Sequence, residues 1–369
     1  MAKQTIPYFD LTGQYNEVKN EWFEEIERLG LSGNFILGDA IDRFETLMAD
    51  YLKVEHAVSV SSGTEAISLA LKASGVGPGD SVIVPDFTFF ATAEAVSLIG
   101  ATPIFVDIDP IDFNIDVSRI ESAIRDNTKA ILPVHLFGAP ANLAPIMRIA
   151  ADRGIAVVED AAQAFGARIG ERFAGSIGDA GCFSFYPTKV LGAFGDGGLV
   201  ATNDAWIADQ LKLLRNHGVT GPNTHSIIGS TNRLDCIQAA VLSVKINSVD
   251  GKIRTRHEIS EIYLEQLQGL DLTLPQQQVG TTHAYNVFTV RSRIRNTIAK
   301  VLDRHGIGYQ IYYPFPIHKQ LPYRHLGYSD ADFPESITAA DEVISLPLYP
   351  EMPKSHIHQI CTVIRSAVG

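Results

Sequence analysis

Cysteine is scarce in this chain. Its 369 residues include three, Cys182, Cys236 and Cys361, which form no Cys-x-x-Cys pair and no metal-ligand spacing. That argues against a disulfide-stapled scaffold or a thiolate metal site, and three free thiols in a reducing compartment are expected. Also missing is any uninterrupted apolar run of ~18 residues, and Met1 to Gly13 contain no apolar stretch of the secretory kind. The expectations are therefore no membrane partner and a cytoplasmic location. Positive charge is in deficit, with 30 Lys and Arg against 42 Asp and Glu, for a net charge of −12 and a pI near 5.4. Nucleic-acid binding rests on basic patches, so it is not expected. An anionic ligand would need a local cluster of cations, because the global field opposes it. Repeats and low-complexity segments are absent. His356 and His358, two residues apart on an expected helix, do not share a face, which rules out a metal pair there.

What is present reads as a globular α/β chain, 46% hydrophobic and 20% charged. Its length suggests two domains: residues 1–248 as an N-terminal segment with a large domain, and 249–369 as a small α+β C-terminal domain. From about residue 55 to 202, short β-branched runs alternate with helical stretches. Strands are expected at Ala57 to Val60, Ser81 to Pro85, Pro103 to Ile108, Ala130 to His135, Ile155 to Glu159, Gly181 to Phe185 and Gly198 to Thr202. Such alternation favours a mostly parallel sheet covered by helices. Helical patterns follow over Asp204 to Asn216 and Asp235 to Glu265. The C-terminal part is expected to contain strands at Tyr285 to Val290 and Gly308 to Tyr312, and helices at Arg295 to His305 and Lys354 to Ala367. Between them runs a long loop, Pro314 to Glu335, of the kind that often carries function.

The chemistry sits at strand ends. Val157 to Asp160 is an apolar run ending in an acid, and Cys182 to Lys189 is an aromatic run ending in Pro187-Thr188-Lys189, 29 residues further on (189 − 160). In parallel α/β sheets, ligands sit beyond the carboxyl ends of the strands. Pyridoxal phosphate (PLP) requires a carboxylate that keeps its ring nitrogen protonated and a lysine that forms a Schiff base. Asp160 and Lys189 fit those roles, although a lone Asp at a strand end is more often a cap and a lone Lys a solvated charge. Upstream, Ala57 to Val60 runs into Ser61-Ser62-Gly63-Thr64-Glu65 and an Ala/Leu-rich helix. Ser62 and Glu65 have capping-box spacing. The helix start at Gly63-Thr64 would be either a phosphate cup or an ordinary capped terminus. No Gly-Lys-Ser/Thr follows, so it is not a P-loop. Among Phe87, Phe89 and Phe90, one ring could stack on a planar cofactor.

The ordered set of Ser62-Gly63-Thr64, Pro85 to Thr92, Pro133 to Gly138, Glu159 to Gln163, Phe183 to Lys189 and Gly195 to Gly198 resembles the nucleotide-sugar aminotransferases, fold type I PLP enzymes of the aspartate aminotransferase superfamily. The likeness continues through Leu214 to Gly218, Arg233 to Ala240 and Tyr313-Pro314 with His318, and begins as early as Ile6 to Leu11. It implies Lys189 as the Schiff-base lysine, Asp160 at the pyridine nitrogen, Gln163 near the phenolic oxygen and Phe89 on the ring face. Gly63, Thr64 and Ser184 would hold the phosphate. The family usually has an asparagine two places before Arg233, reaching the neighbouring subunit's cofactor. Here Thr231 stands there and Asn232 is adjacent, so either could make that contact.

The resemblance further implies a homodimer with shared active sites, glutamate as amino donor and a UDP- or dTDP-linked keto-sugar as acceptor, with 3-keto favoured over 4-keto. Candidate substrate contacts are Tyr313, His318, Lys319, Arg324 and Arg233. The alternative is that Lys319 and Arg324 are solvated and Arg233 pairs with Asp235. His135 and His217, both in family motifs, are open between structural and functional roles. The competing functions are a PLP-binding regulator without turnover, a structural partner in an assembly, or another fold type I enzyme such as a sugar dehydratase. Lys189 argues against that dehydratase branch, which carries histidine at this place.

Overall fold

The computed structural model describes residues 5–368. The first four residues of the expected N-terminal segment, and Gly369 at the end of the C-terminal domain, lie outside them. Seven strands form the central sheet: β1 His56–Val60, β2 Ser81–Pro85, β3 Thr102–Val106, β4 Thr128–Ile131, β5 Ala156–Asp160, β6 Ala180–Ser184 and β7 Gly198–Thr202. Their spatial order is β1-β7-β6-β5-β4-β2-β3. All run parallel except β7, which is antiparallel to both its neighbours, β1 and β6. The mostly parallel sheet expected from the alternating pattern is therefore present. Its strands read as continuous apolar runs because both faces are covered: Val82, Ile83, Val84, Val157 and Val158 are all buried.

The helices α1 Thr12–Ser32, α2 Asp39–Leu52, α3 Gly63–Ala73, α4 Ala91–Leu98, α5 Leu143–Arg153, α6 Ala205–Leu214 and α7 Cys236–Lys245 surround the sheet. Where helical pattern was expected from Asp235 to Glu265, a single 3-10 turn, Ile246–Ser248, separates α7 from α8 Val249–Leu267. The smaller unit adds β8 Phe288–Arg291, α9 Arg295–His305, α10 Pro334–Glu342, β9 Val343–Leu346 and α11 Lys354–Val368, with β8 and β9 antiparallel. Val249 and Ile253 join the core of the large unit, whereas Ile259, Tyr263 and Leu267 on the same helix join the core of the small one. Ile6 packs into the small core too. The two cores thus meet within α8, and the chain's beginning belongs spatially with its end.

Two expected strands differ from the fold for physical reasons. The expected run to His135 leaves the sheet after Ile131: Pro133 has no N–H to donate, and only Val134 re-forms a bridge, to Asp160. Gly308 to Tyr312 is not a strand. Gln310 makes one antiparallel bridge with Ser345, and the chain then turns to line a cavity with Gln310, Ile311, Tyr312 and Tyr313.

Candidate active site

Strands β1, β5 and β6 all end on one side of the sheet, and their last residues, with the loops that follow, line a cavity of about 760 Å³. Ser62 caps α3 by accepting the Glu65 N–H on its Oγ at 3.2 Å. The capping box is only half formed, because the Glu65 carboxylate is taken by the Asn232 amide at 2.5 Å. Gly63 and Thr64 open the helix at the cavity wall, where first-turn amides have no intrahelical partner. Glycine is required at 63: a Cβ there would meet the Ser184 Cβ at 2.6 Å. Gly198 is pressed equally close, since a Cβ would lie 2.2 Å from the Ser62 carbonyl oxygen. Ser184, at the end of β6, therefore lies directly beside the start of α3. This arrangement fits a phosphate: a helix N-terminus, a close backbone and two hydroxyl side chains.

Asp160 ends β5, buried, with both oxygens engaged. Thr92 Oγ1 donates to Oδ2 at 2.8 Å and the Ala162 N–H to Oδ1 at 3.1 Å. Thr92 spends its only proton there, so Thr88, 3.1 Å away, donates to Thr92. Burial pushes the Asp160 carboxyl up, while Thr92, the Ala162 amide and the charge on Lys189 pull it down. Lys189 lies in the turn after β6, half-buried, its side chain lining the cavity. Desolvation lowers its pKa to about 8, against the opposing pull of Asp160. Its amine has no hydrogen bond or ion pair among the described residues. A lysine with a lowered pKa and no protein partner, opposite a buried carboxylate and beside an anion cup, fits the chemistry of PLP.

Gln163 is fixed between backbone and ring. Its Oε1 accepts from the Phe137 N–H at 2.8 Å and its Nε2 donates to the Tyr313 hydroxyl at 2.9 Å. Burial pushes the Tyr313 hydroxyl up, so it remains protonated. Phe89 lines the cavity with its side chain 56% exposed, its ring centroid 6.0 Å from that of Tyr313. Of the expected cofactor residues, Gly63, Thr64, Phe89, Asp160, Gln163, Ser184 and Lys189 all line this one cavity. Thr231 and Asn232 do not. The Thr231 hydroxyl bonds His217 Nε2 at 2.8 Å, and Asn232 holds Glu65 and Ser230.

The substrate contacts fare differently. Tyr313 lines the cavity, but His318, Lys319, Arg324 and Arg233 do not. His318 is engaged within the chain: its ring is buried, with Nδ1 on Asp86 at 2.6 Å and Nε2 on Asp330 at 3.2 Å. Burial alone would lower the His318 pKa, yet the two carboxylates raise it. The histidine pins the long loop to the end of β2. Lys319 pairs with Asp330 at 2.9 Å, and Arg324 is exposed on a 3-10 turn. Arg233 donates to Asn216 Oδ1 at 2.7 Å rather than pairing with Asp235. His135 is structural: Nδ1 accepts the Ala141 N–H, which leaves Nε2 to donate to Glu159. Several cavity residues escaped the reading of site roles, among them Tyr8, Thr92, Tyr186, Asn286, Gln310 and Tyr312.

The sequence matches the DegT/DnrJ/EryC1/StrS aminotransferase family over residues 16–365. A UDP-N-acetyl-3-dehydro-alpha-D-glucosamine 3-aminotransferase of Acidithiobacillus ferrooxidans is 42% identical over 360 residues, 98% of this chain and 97% of that protein. A protein of Geobacillus stearothermophilus named pleiotropic regulatory protein is 41% identical over 350 residues, 94% of each chain. Among solved structures, S. venezuelae DesV in complex with a ketimine intermediate superposes with a TM-score of 0.96 at 38% identity, covering 98% of both chains. With the lysine, carboxylate and anion cup that PLP chemistry requires in one cavity, this chain belongs to the DegT/DnrJ/EryC1/StrS aminotransferase family, the fold type I, PLP-dependent sugar aminotransferases.

Proposed function

We propose that this enzyme moves the amino group of glutamate to carbon 3 of a keto-sugar carried on a nucleoside diphosphate, UDP or dTDP, and that it works as a homodimer with shared sites. The observation that carries this reading is the single cavity in which Lys189 and Asp160 stand beside the Gly63–Thr64 cup and an uncharged wall of Tyr, Asn and Gln side chains. The name of the Acidithiobacillus relative supports a UDP-linked 3-keto acceptor. Gly63, Thr64 and Ser184 would hold the cofactor phosphate, Phe89 one face of its ring, and Asp160 its ring nitrogen. Bound PLP supplies an electron sink for the charge left when a proton leaves the carbon bearing the amino group. Lys189, as a free amine, would take that proton from the substrate carbon and deliver it to the cofactor within the same half-reaction, and would carry a proton the opposite way in the second. The test is a screen of UDP- and dTDP-linked 3-keto and 4-keto sugars with glutamate, read by mass spectrometry. Amination of the 3-keto compounds is expected; preference for 4-keto compounds, or for another amino donor, overturns the corresponding part.

The lysine pKa makes its own prediction. With a pKa of about 8, the neutral, reactive fraction of Lys189 grows as pH rises through 8 and levels off above it. The rate at which the cofactor-free chain captures PLP, followed by absorbance, is expected to show that curve. A rate still climbing at about pH 10, where an ordinary lysine titrates, would show an unperturbed amine.

Sharing between subunits is supported by charge. Among the described residues, the only cation lining the cavity is Lys189, set against Asp160 and Asp196, and a diphosphate needs more positive charge than that. Thr231 is exposed on a turn that packs against Glu65, close to the phosphate cup, where a second copy could use it. Mixing a Lys189→Ala chain with a Thr231→Ala/Asn232→Ala chain is expected to restore activity, because one of the two hybrid sites is intact. Verified heterodimers without recovery would count against sharing.

The name of the Geobacillus relative favours a second reading, a PLP-binding regulator without turnover. Glutamate separates the two: loss of the visible PLP absorbance on its addition marks the enzyme, and a cofactor inert to every amino acid marks the regulator.

A further inference from the structure

Asn286 lies at the cavity wall contributed by the small unit, and its backbone is held on both sides. Its N–H donates to the Phe137 carbonyl at 3.1 Å, and its carbonyl accepts from Arg256 Nη1 at 3.4 Å. The same fully buried guanidinium makes no ion pair among the described residues and also binds the carbonyls of Tyr285 at 3.0 Å and Leu348 at 3.3 Å, so it braces two residues of this wall, Asn286 and Leu348, and the neighbouring Tyr285. The Asn286 side chain is treated in the opposite way. The residue is 7% exposed, its Oδ1 is shielded from solvent without a partner, and its Nδ2 makes no hydrogen bond among the described residues. Buried amide groups are nearly always paired; the shielded Oδ1 is kept at a cost to stability, and the Nδ2 that faces the cavity is a donor that a ligand can satisfy.

The surroundings select the ligand. Beside Asn286 the wall is formed by Tyr8, Val287, Gln310, Tyr312 and Leu348, neutral hydroxyl and amide groups interleaved with apolar surface. The carboxylates of an amino-acid donor call for cations, and among the described residues this wall has none. A hexose ring, with hydroxyls at its edge and C–H groups on its faces, matches both halves of the lining. We propose that Asn286 is a sugar-recognition residue, its Nδ2 donating to a ring hydroxyl or to the acyl oxygen of an acylamino group on the sugar. This rests on the nucleotide-sugar reading above.

The test uses the PLP-loaded enzyme with Asn286→Ala and Asn286→Leu, glutamate, and a UDP-linked 2-acetamido-3-keto-hexose beside its 2-deoxy analogue. The KM for the acetamido-sugar is expected to rise more than about tenfold, while the conversion of the visible PLP band by glutamate keeps its rate. The melting temperature of the cofactor-free chain should hold or rise, because an unpaired buried amide has been removed. If the acetamido group is the partner, wild type should discriminate against the 2-deoxy analogue and the variants should not. An unchanged KM for the sugar, equal damage to both half-reactions, or a fall in melting temperature with rescue by Asn286→Gln overturns the assignment. Should wild type aminate neither sugar in its UDP- or its dTDP-linked form while still reacting with glutamate, the nucleotide-sugar reading itself fails, and this assignment falls with it. Should a variant not fold, the same discrimination is read on Asn286→Ser.

Discussion

Lys189→Ala is expected to abolish covalent attachment of PLP and to lower transamination by at least about 10³-fold, since it removes the group that binds the cofactor and the group that shuttles the proton. The protein should still fold. Lys189 makes no side-chain bond whose loss would open the structure, and its lowered pKa of about 8 shows that its charge is poorly accommodated where it lies. Removing an unfavourably buried charge leaves stability unchanged or slightly higher. Borohydride reduction and peptide mapping provide the check. Wild type should carry its label on the peptide containing Lys189, and a label on any other lysine defeats the assignment. Added methylamine gives a second reading, because it can stand in for the missing amine where lost proton transfer limits the rate.

Asp160→Asn is expected to retain PLP yet lose roughly 10²–10³ in turnover, the loss typical of removing one electrostatic partner from a preorganised site. The amide has nearly the same shape: its oxygen can keep the Ala162 N–H, while its NH2 turns to Thr92, whose hydroxyl must then accept. What disappears is the negative charge that holds a ring nitrogen protonated. Burial works against that charge, pushing the carboxyl up, and the Thr92 hydroxyl is the foremost group working for it. Thr92→Val should therefore reproduce a milder form of the same defect, recovered by Thr92→Ser. Near-normal turnover in Asp160→Asn would rule out the role.

The candidate catalytic centre was legible in sequence because its residues sit at fixed points of local structure. Asp160 ends β5, Gly63 opens α3 behind its Ser62 cap, and Lys189 follows an aromatic strand. Each element announces itself through periodicity or capping, and the parallel sheet then brings the strand ends together. The opposite wall was not legible. Asn286, Gln310 and Tyr312 belong to irregular segments whose backbone bonds go to distant partners, such as Phe137 and Ser345, so no local pattern marks them. The engagement of His318 was not legible for a related reason: a histidine in a polar loop looks available, and only the fold reveals that Asp86 and Asp330 bond its two nitrogens. Thr92 lay in view within a quoted motif, but its bond to Asp160 spans 68 residues and depends on how α4 meets β5.

The position of β1 at the edge of the sheet, paired with β7 and with no other strand, has a consequence for how the protein is made. A growing chain that has emerged as far as Lys189 already contains the cup sequence, Asp160 and the lysine, but lacks Gly198–Thr202, the strand that seats β1 and abuts the Ser62 carbonyl. Such distant pairings close late, since a long loop must first surrender its freedom. The cofactor therefore cannot act as a template for the emerging N-terminal half. It arrives as a reward for completion, and a ribosome-stalled chain ending before β7 should remain colourless in a PLP solution that turns the full-length protein yellow.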